Sequence, residues 1–455
     1  MTVEESPKPR RAGRVVRRVL LAFGLIVALF VGWVYFSVNP GGDPPDPAGL
    51  GPDPKLAPAD EQLLPTVHSA NVIGWPADKA PTVPAGFKVT RFAADLDHPR
   101  WLFELPNGDV LASEAATIRR DEDSVTMDFF RWLRRNDGSE KPSANRITLL
   151  RDTNGDGVAD QKTKFLENLN QPFGMALVGD WLYVGNTDGV SRFPYRTGDT
   201  QITGRGEKIL NLPADGYNNH WTRNVIASQD GKKLYVTVGS GSNIGENGLD
   251  AETRRANVLE INPDGSGERI LASGARNPNG LSFEPATGQL WTVVNERDLL
   301  GEDAAPDYLT RVRVGDFYGW PWTYWGQVVD PRVQPQRPDL VAKAIKPDYS
   351  LGAHSAPLGL AFYGGSAFPE HYRGGAFIAE HGSWNRGQSV GFKMVYIPFR
   401  DGMPTGLPED FLTGFKPDPA NTETYGRPVG VISDKAGGLL VTDDAANIVW
   451  RISAS

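Results

Sequence analysis

From about Gly86 to the end of the chain, short runs of alternating apolar and polar residues are separated by Gly, Pro, Asn and Asp. A period of two in short runs bounded by turn residues predicts β-strands. No long segment in this region keeps a helical period, so the region from 86 to 455 is expected to be all-β. The beginning of the chain differs. Val19–Val38 carries no charge and follows Arg10, Arg11, Arg14, Arg17 and Arg18. Twenty helical residues rise about 30 Å, the thickness of a bilayer core. Residues 1–18 are expected to stay in the cytoplasm and 19–38 to form a single transmembrane anchor, with the rest on the periplasmic or extracellular side. Trp33 and Tyr35 suit the outer interface. A cleaved signal peptide is the competing reading, but no small-x-small site follows and the run is long for one. Residues 39–85, rich in Pro, Gly and Asp, read as a tether and wrapping segment.

The strand-forming region repeats. A polar or small pair, often followed by Pro, precedes a glycine-containing stretch, a turn and a second strand. Asp97-His98-Pro99 leads to DVLASEA, Asn170-Gln171-Pro172 to WLYVGNT, and His220-Trp221-Thr222 to KLYVTVGS. Arg276-Asn277-Pro278 leads to QLWTVVNE, Ser355-Ala356-Pro357 to AFIAEHG, and Gly426-Arg427-Pro428 to LLVTDDA. PFGMAL, PNGLSF, PLGLAF and PVGVIS are near copies of one another. Six such units predict a six-bladed β-propeller, with GFKVTRF pairing with the last blade to close the ring. In that architecture the pairs preceding the inner strands converge on one mouth of the central channel. Asp97, His98, Asn170, Gln171, His220, Arg276, Asn277 and Arg427 are therefore expected to meet there.

Net charge of −8 argues against a nucleic-acid partner, and the absence of Cys excludes disulfides and thiolate chemistry. Converging Arg276 and Arg427 would be costly without anionic partners. A ligand bearing carboxylates would satisfy them; salt bridges to Asp97, Glu296 or Asp443 are the structural alternative. His220 can take a proton from a substrate hydroxyl, and a nearby Arg would keep it neutral. Ser240, at the end of the following strand, is expected to orient it weakly, where a carboxylate would do so more firmly. His98 and His381 occupy comparable positions.

Two segments suggest calcium. DTNGDGVAD sets Asp152, Asn154, Asp156 and Asp160 at positions 1, 3, 5 and 9 of a calcium loop, with Gly157 at 6. Position 12 is Thr163, so the usual bidentate Glu is missing. The second is NERD, residues 295–298, where Glu296 could hold a cation beside a cofactor.

ARNPNGLSF, NERD, DFYGWPWTYWGQ, APLGLAFY and AEHGSWNR together resemble the glucose/sorbosone dehydrogenase family of quinoproteins, over about residues 86–452 and most closely its sorbosone dehydrogenase-like branch. The resemblance implies a six-bladed propeller holding pyrroloquinoline quinone, often with Ca²⁺, and oxidising a sugar or sugar aldehyde by hydride transfer. It makes His220 the base and sets Arg276 and Asn277 on the cofactor, with Arg276 also stabilising charge on the quinone oxygen. Arg427 and, in the fifth blade, Arg386 are the nearest matches to the family's further basic residues. Ser240 stands where glucose-oxidising members carry Asp. The electron acceptor would be a component of a respiratory chain. A calcium-dependent lactonase and a non-catalytic anchored binding platform are the alternatives on the same architecture.

Overall fold

The computed structural model describes residues 10–38, 42–62, 65–118, 132, 135–139 and 141–455. Within them the chain forms six antiparallel blades. The inner strands are Pro99–Glu104, Met175–Val178, Val225–Ala227, Asn277–Phe283, Pro357–Phe362 and Pro428–Ser433. Each packs against the next around the axis, and the sixth against the first. The six-bladed propeller expected from the repeat is therefore the fold.

The recurring Pro-x-Gly has a steric cause. A Cβ on Gly359 would lie 2.3 Å from the carbonyl oxygen of Val429 in the next blade. One on Gly430 would lie 2.6 Å from the Arg100 carbonyl, across the junction of the last blade with the first. Only glycine lets neighbouring inner strands approach this closely. Between blades, the alternating apolar residues interlock in buried clusters, such as Trp291, Leu309, Leu360 and Ile378 between blades four and five.

The ring closes as the sequence predicts. Phe87–Ala93 pairs antiparallel with Ile448–Ala454, from Phe87 opposite Ala454 to Ala93 opposite Val449. The sixth blade thus joins the first strand of the propeller to its last, and no blade keeps an open inner seam. Blade three gains a fifth strand, because Asp316–Phe317 of the DFYGWPWTYWGQ insertion pairs parallel with Ala272–Ser273.

The N-terminal helix spans Arg10–Val38, so it starts within the basic segment rather than at Val19. Its stretch Val16–Tyr35 has a mean hydropathy of 2.1, is not buried, and is long and apolar enough to cross a membrane.

The segment before the propeller is more than a tether. Gly51 bridges Ser350 in blade four, and Asp60 donates its amide to the Leu300 carbonyl. His68 donates its amide to Trp384, Asn71–Val72 pairs parallel with Glu423–Thr424, and Thr82 bridges Thr413. Its described residues form a strap laid across blades four to six. Trp75 is its main anchor. The ring packs against Phe415, Tyr425 and Trp450, and Nε1 donates to Asp443 at 2.7 Å. Trp75→Ala should lower unfolding stability by about 2–3 kcal/mol, the scale of losing a partly buried aromatic anchor. Urea unfolding of the variant checks this; an unchanged midpoint would mean the strap adds nothing to the fold.

Candidate active site

The polar pairs of blades three, four and five meet at one mouth of the channel. His220, Arg276, Asn277, Asp298, Asp307 and His354 line a pocket there of about 130 Å³. That is below the roughly 300–1,000 Å³ of ordinary ligand pockets. It suits the reacting end of a ligand rather than the whole of a large one.

His220 precedes the inner strand of blade three. Its Nδ1 lies 2.8 Å from the Ser240 carbonyl oxygen and 2.9 Å from Ser240 Oγ, while that hydroxyl donates to the Ser242 carbonyl at 2.6 Å. Both groups facing Nδ1 therefore accept, so Nδ1 carries the proton and Nε2 keeps its lone pair. Ser240 thus orients the ring firmly, through its main chain as well as its hydroxyl. Burial, then the Arg276 charge, hold the His220 pKa well below the usual histidine value.

Arg276 opens the R-N-P-x-G motif and is 3% exposed. Nε donates to the Asn243 carbonyl at 3.1 Å, Nη1 to the Glu296 carbonyl at 2.7 Å and Nη2 to Asn243 Oδ1 at 2.9 Å. Asp298 is its ion partner at 3.4 Å, rather than Asp97, Glu296 or Asp443. Asp298 also faces His354 Nδ1 at 3.5 Å, and His354 Nε2 lies 2.9 Å from the Gly301 carbonyl. With acceptors at both nitrogens, His354 favours the imidazolium. Burial alone would lower its pKa, but the Asp298 hydrogen bond and charge outweigh that and raise it. The pocket thus sets a neutral histidine and a cation-favouring one on opposite sides of the Arg276–Asp298 pair.

Two buried polar atoms in the pocket have no hydrogen-bond partner: Asn277 Oδ1 and Glu296 Oε1. The other Glu296 oxygen accepts from Arg297, whose guanidinium is also paired with Asp330. Asp307 accepts from the amides of Glu296 and Ala356 at 2.7 and 2.8 Å and from Ser355 Oγ at 3.2 Å. Burial pushes its pKa up to about 7, although those donors favour the charged form.

The expected single ring is in fact two groups. His98 and His381 both contact Asp444, at 3.3 and 3.1 Å, and Arg100 pairs with the same carboxylate. Arg427 donates to the His381 and Gly382 carbonyls at 3.0 Å. Burial, ahead of any charge, lowers His98 to about 3 and His381 to about 4. Gln171 turns its amide to the Ala116 carbonyl, the Asn170 amide meets Asn186, and the Asp97 amide meets Glu114. These do not line the pocket. Arg386 also lies away from it. Its Nη2 meets the Asp43 carbonyl of the strap at 3.0 Å, and it pairs with Glu302 and Asp303.

The 152–160 loop is exposed, and its oxygens serve its own backbone. Asp152 accepts from Gly155 and Gly157, Asn154 from Asp156, Asp156 from Val158 and Asp160 from Thr153. Among the described residues no three His, Asp or Glu side chains converge as a metal-binding group, here or around Glu296.

Sequence reasoning missed His354 and Asp307. His354 directly precedes the Ser355-Ala356-Pro357 unit, so the repeat position itself was the available signal. Asp307 is the second residue of the third strand of blade four, outside the repeated unit, and the fold brings it to the mouth.

A six-bladed propeller with a neutral histidine beside a buried Arg-Asn pair at the channel mouth defines the class. Residues 184–382, which carry that site, match the family described as Glucose / Sorbosone dehydrogenase, so the family-level resemblance read from the motifs is borne out over that stretch. Residues 331–455 match a second family, TrAA12-like. An uncharacterised protein of Borreliella burgdorferi is 33% identical over 244 residues, 53% of this chain and 62% of that protein. An aldose sugar dehydrogenase of Escherichia coli is 29% identical over 111 residues, 24% of this chain and 28% of the relative. The alignments thus span less than two thirds of either relative's length. Among solved structures, the holo pyranose dehydrogenase PQQ domain of Coprinopsis cinerea superposes with a TM-score of 0.64 at 20% identity, covering 84% of this chain and 98% of that one. A Trichoderma reesei carbohydrate-active enzyme of family AA12 gives 0.65 at 18%, covering 83% and 98%. At these identities the likeness is one of fold.

The His220 geometry has a direct test. Nitrogen NMR of labelled histidine should show His220 as the neutral Nδ1–H tautomer at pH 6, where free imidazole is largely protonated. Because folding depresses this pKa, His220 contributes stability that is present above pH 6.5 and lost as pH falls below it. Ser240→Ala should keep the tautomer, since the carbonyl remains. A protonated His220 at pH 6 would contradict the assignment.

Proposed function

We propose that this protein is a pyrroloquinoline quinone-dependent dehydrogenase that oxidises a sugar or sugar aldehyde, with His220 as the general base. The observation that carries the reading is the His220 Nε2 lone pair, fixed by Ser240, without a protein partner among the described residues and beside the buried Arg276. The match of residues 184–382 to the family supports it.

The residues present fit the cofactor's polar end. Asn277 Oδ1 is buried and unpartnered, and a bound ligand would supply the donor it lacks. Arg276 and Asn277 would hold the reacting edge in the pocket, with Arg427 at the other side of the mouth. When bound, pyrroloquinoline quinone supplies a two-electron acceptor for hydride leaving the sugar carbon. His220 Nε2 takes the hydroxyl proton as that hydride departs, because the neutral ring is an acceptor at neutral pH. Arg276 is locked by Asn243 and the Glu296 carbonyl, so its charge is in place before the oxygen gains electron density. Its donors are largely committed to the protein, so it acts through field and position rather than as a free fork. Glu296 Oε1 is a single leftover acid oxygen, which does not make a calcium site, and no step is assigned to a metal. The calcium-dependent lactonase draws no support from this geometry.

The helix Arg10–Val38 would anchor the propeller on the outer face of the cytoplasmic membrane, where electrons would pass to a respiratory acceptor.

Two variants should fail differently. His220→Ala should keep cofactor binding and lose turnover by about 10²–10⁴-fold. Arg276→Ala should weaken cofactor binding by about 2–5 kcal/mol, so excess cofactor restores part of the activity. Titration calorimetry with the quinone, beside a dye-linked assay on aldoses and ketoaldoses, separates the two. Full turnover in His220→Ala would remove the base assignment. A wild-type chain that binds no quinone would sink the dehydrogenase reading in favour of an anchored binding platform.

A further inference from the structure

Between the strap and blades four and five lies a second cavity, of about 540 Å³. Its walls are largely apolar, with Leu56 from the strap, Pro306 and Leu351 from blade four, and Val390 and Phe392 from blade five. Its polar lining includes Ser355, Glu380, the Lys393–Asp410 pair and, toward the strap, Lys55 and Lys416. Glu380 ends the second strand of blade five and is 4% exposed. Among the described residues its carboxyl makes no hydrogen bond, and the adjacent Lys393 is paired at 2.5 Å with Asp410 instead. Burial pushes the Glu380 pKa up to about 8, so it carries a proton at neutral pH.

This cavity shares a wall with the channel-mouth pocket. Asp307 and Ala356 face the pocket, while their chain neighbours Pro306 and Ser355 face the cavity. Ser355 Oγ donates to Asp307 Oδ2 at 3.2 Å, through the wall. Asp307 and Ser355 thus join the two chambers, and Glu380 stands on the cavity side.

The helix limits where this cavity sits. Val38 ends the helix and Pro45 already lines the cavity, seven positions on. Seven extended residues span at most about 25 Å. If the helix crosses a membrane, the cavity lies within that reach of the lipid.

We propose that the cavity takes the ring of a lipid-soluble quinone, which is the electron acceptor, and that Glu380 protonates it. The inference rests on the dehydrogenase reading above. The apolar walls formed by Leu56, Leu351, Val390 and Phe392 suit a neutral ring, and an unpartnered protonated carboxyl suits its carbonyl oxygen. Per turnover the acceptor gains two electrons and two protons and leaves as the hydroquinone. They balance the hydride and the hydroxyl proton removed from the sugar, so the bound cofactor returns to its oxidised form. Glu380 delivers the protons one at a time and reloads from solvent, into which the hydroxyl proton taken from the sugar is released.

Duroquinone is the probe. In equilibrium dialysis it should bind the cofactor-free chain at one site, and Ala57→Trp, which fills the cavity from the strap side, should weaken binding at least about tenfold. Matching melting curves would show that the variant folds, and pyrroloquinoline quinone should bind it as it binds wild type. Glu380→Gln keeps a donor but releases no proton. It should bind both quinones, yet after reduction by sugar its cofactor should be reoxidised by duroquinone about 10²-fold more slowly, and by ferricyanide, which takes no proton, at the wild-type rate. Duroquinone binding unaffected by Ala57→Trp would overturn the site, and wild-type reoxidation in Glu380→Gln would overturn the proton route. A chain that binds duroquinone here but no pyrroloquinoline quinone would keep the cavity assignment and sink only the dehydrogenase reading.

Discussion

The close approach of adjacent inner strands is the constraint on which the other features depend. Gly359 meets the Val429 carbonyl, and Gly430 meets that of Arg100. A side chain at either position would push two blades apart by more than a hydrogen-bonded ring can absorb. Because the strands are this near, the residues that precede them are crowded at the channel mouth. Crowding strips water from His220, Arg276 and Asp307 together. The low dielectric that shifts their protonation is thus a consequence of strand spacing as much as of the residues themselves.

Much of the architecture was legible because it is written in local pattern. The six Pro-x-Gly-like units, the two-residue alternation and the closing strand at Phe87 each depend on near neighbours or on repetition. The site was legible where it repeats the unit: His220 and Arg276 stand before inner strands, Asn277 opens one, and all three line the pocket. It was not legible where side-chain direction decides. Arg386 looks like a ligand by position, yet turns to Glu302 and Asp303, and Asp298 rather than a distant acid answers Arg276. Nor did periodicity separate one ring into two groups. That follows from Asp444, which gathers His98, Arg100 and His381 on its own side of the mouth. The strap was legible only as a tether and wrapping segment, not in its contacts. Proline-rich sequence lacks a period, so its order comes from Trp75 and from main-chain bonds to blades it does not resemble.

Charge is handled differently in the two groups. Around Asp444 three cation-forming side chains share one carboxylate, and burial keeps both histidines neutral, while Arg100 Nε stays without a partner among the described residues. Around Arg276 donors and acceptors are uneven: Asn277 Oδ1 and Glu296 Oε1 go unpaired and His220 keeps a lone pair. Such gaps are few in native interiors, and two of them beside one histidine lone pair leave room for a ligand's donors. The second group is therefore where binding can repay the cost of burial.

The seam between Phe87–Ala93 and Ile448–Ala454 also sets the order of events in folding. Its two strands lie at opposite ends of the propeller sequence, so their pairing has nearly the longest loop the domain can close. Five blades can form from neighbouring segments as the chain emerges; the sixth must wait for both ends. Until then Ile448–Ala454 would present an unpaired, apolar edge, the kind of surface that joins wrong partners. The last step of maturation is thereby also the most exposed one, and a folding helper would find its natural target at the seam rather than at the site.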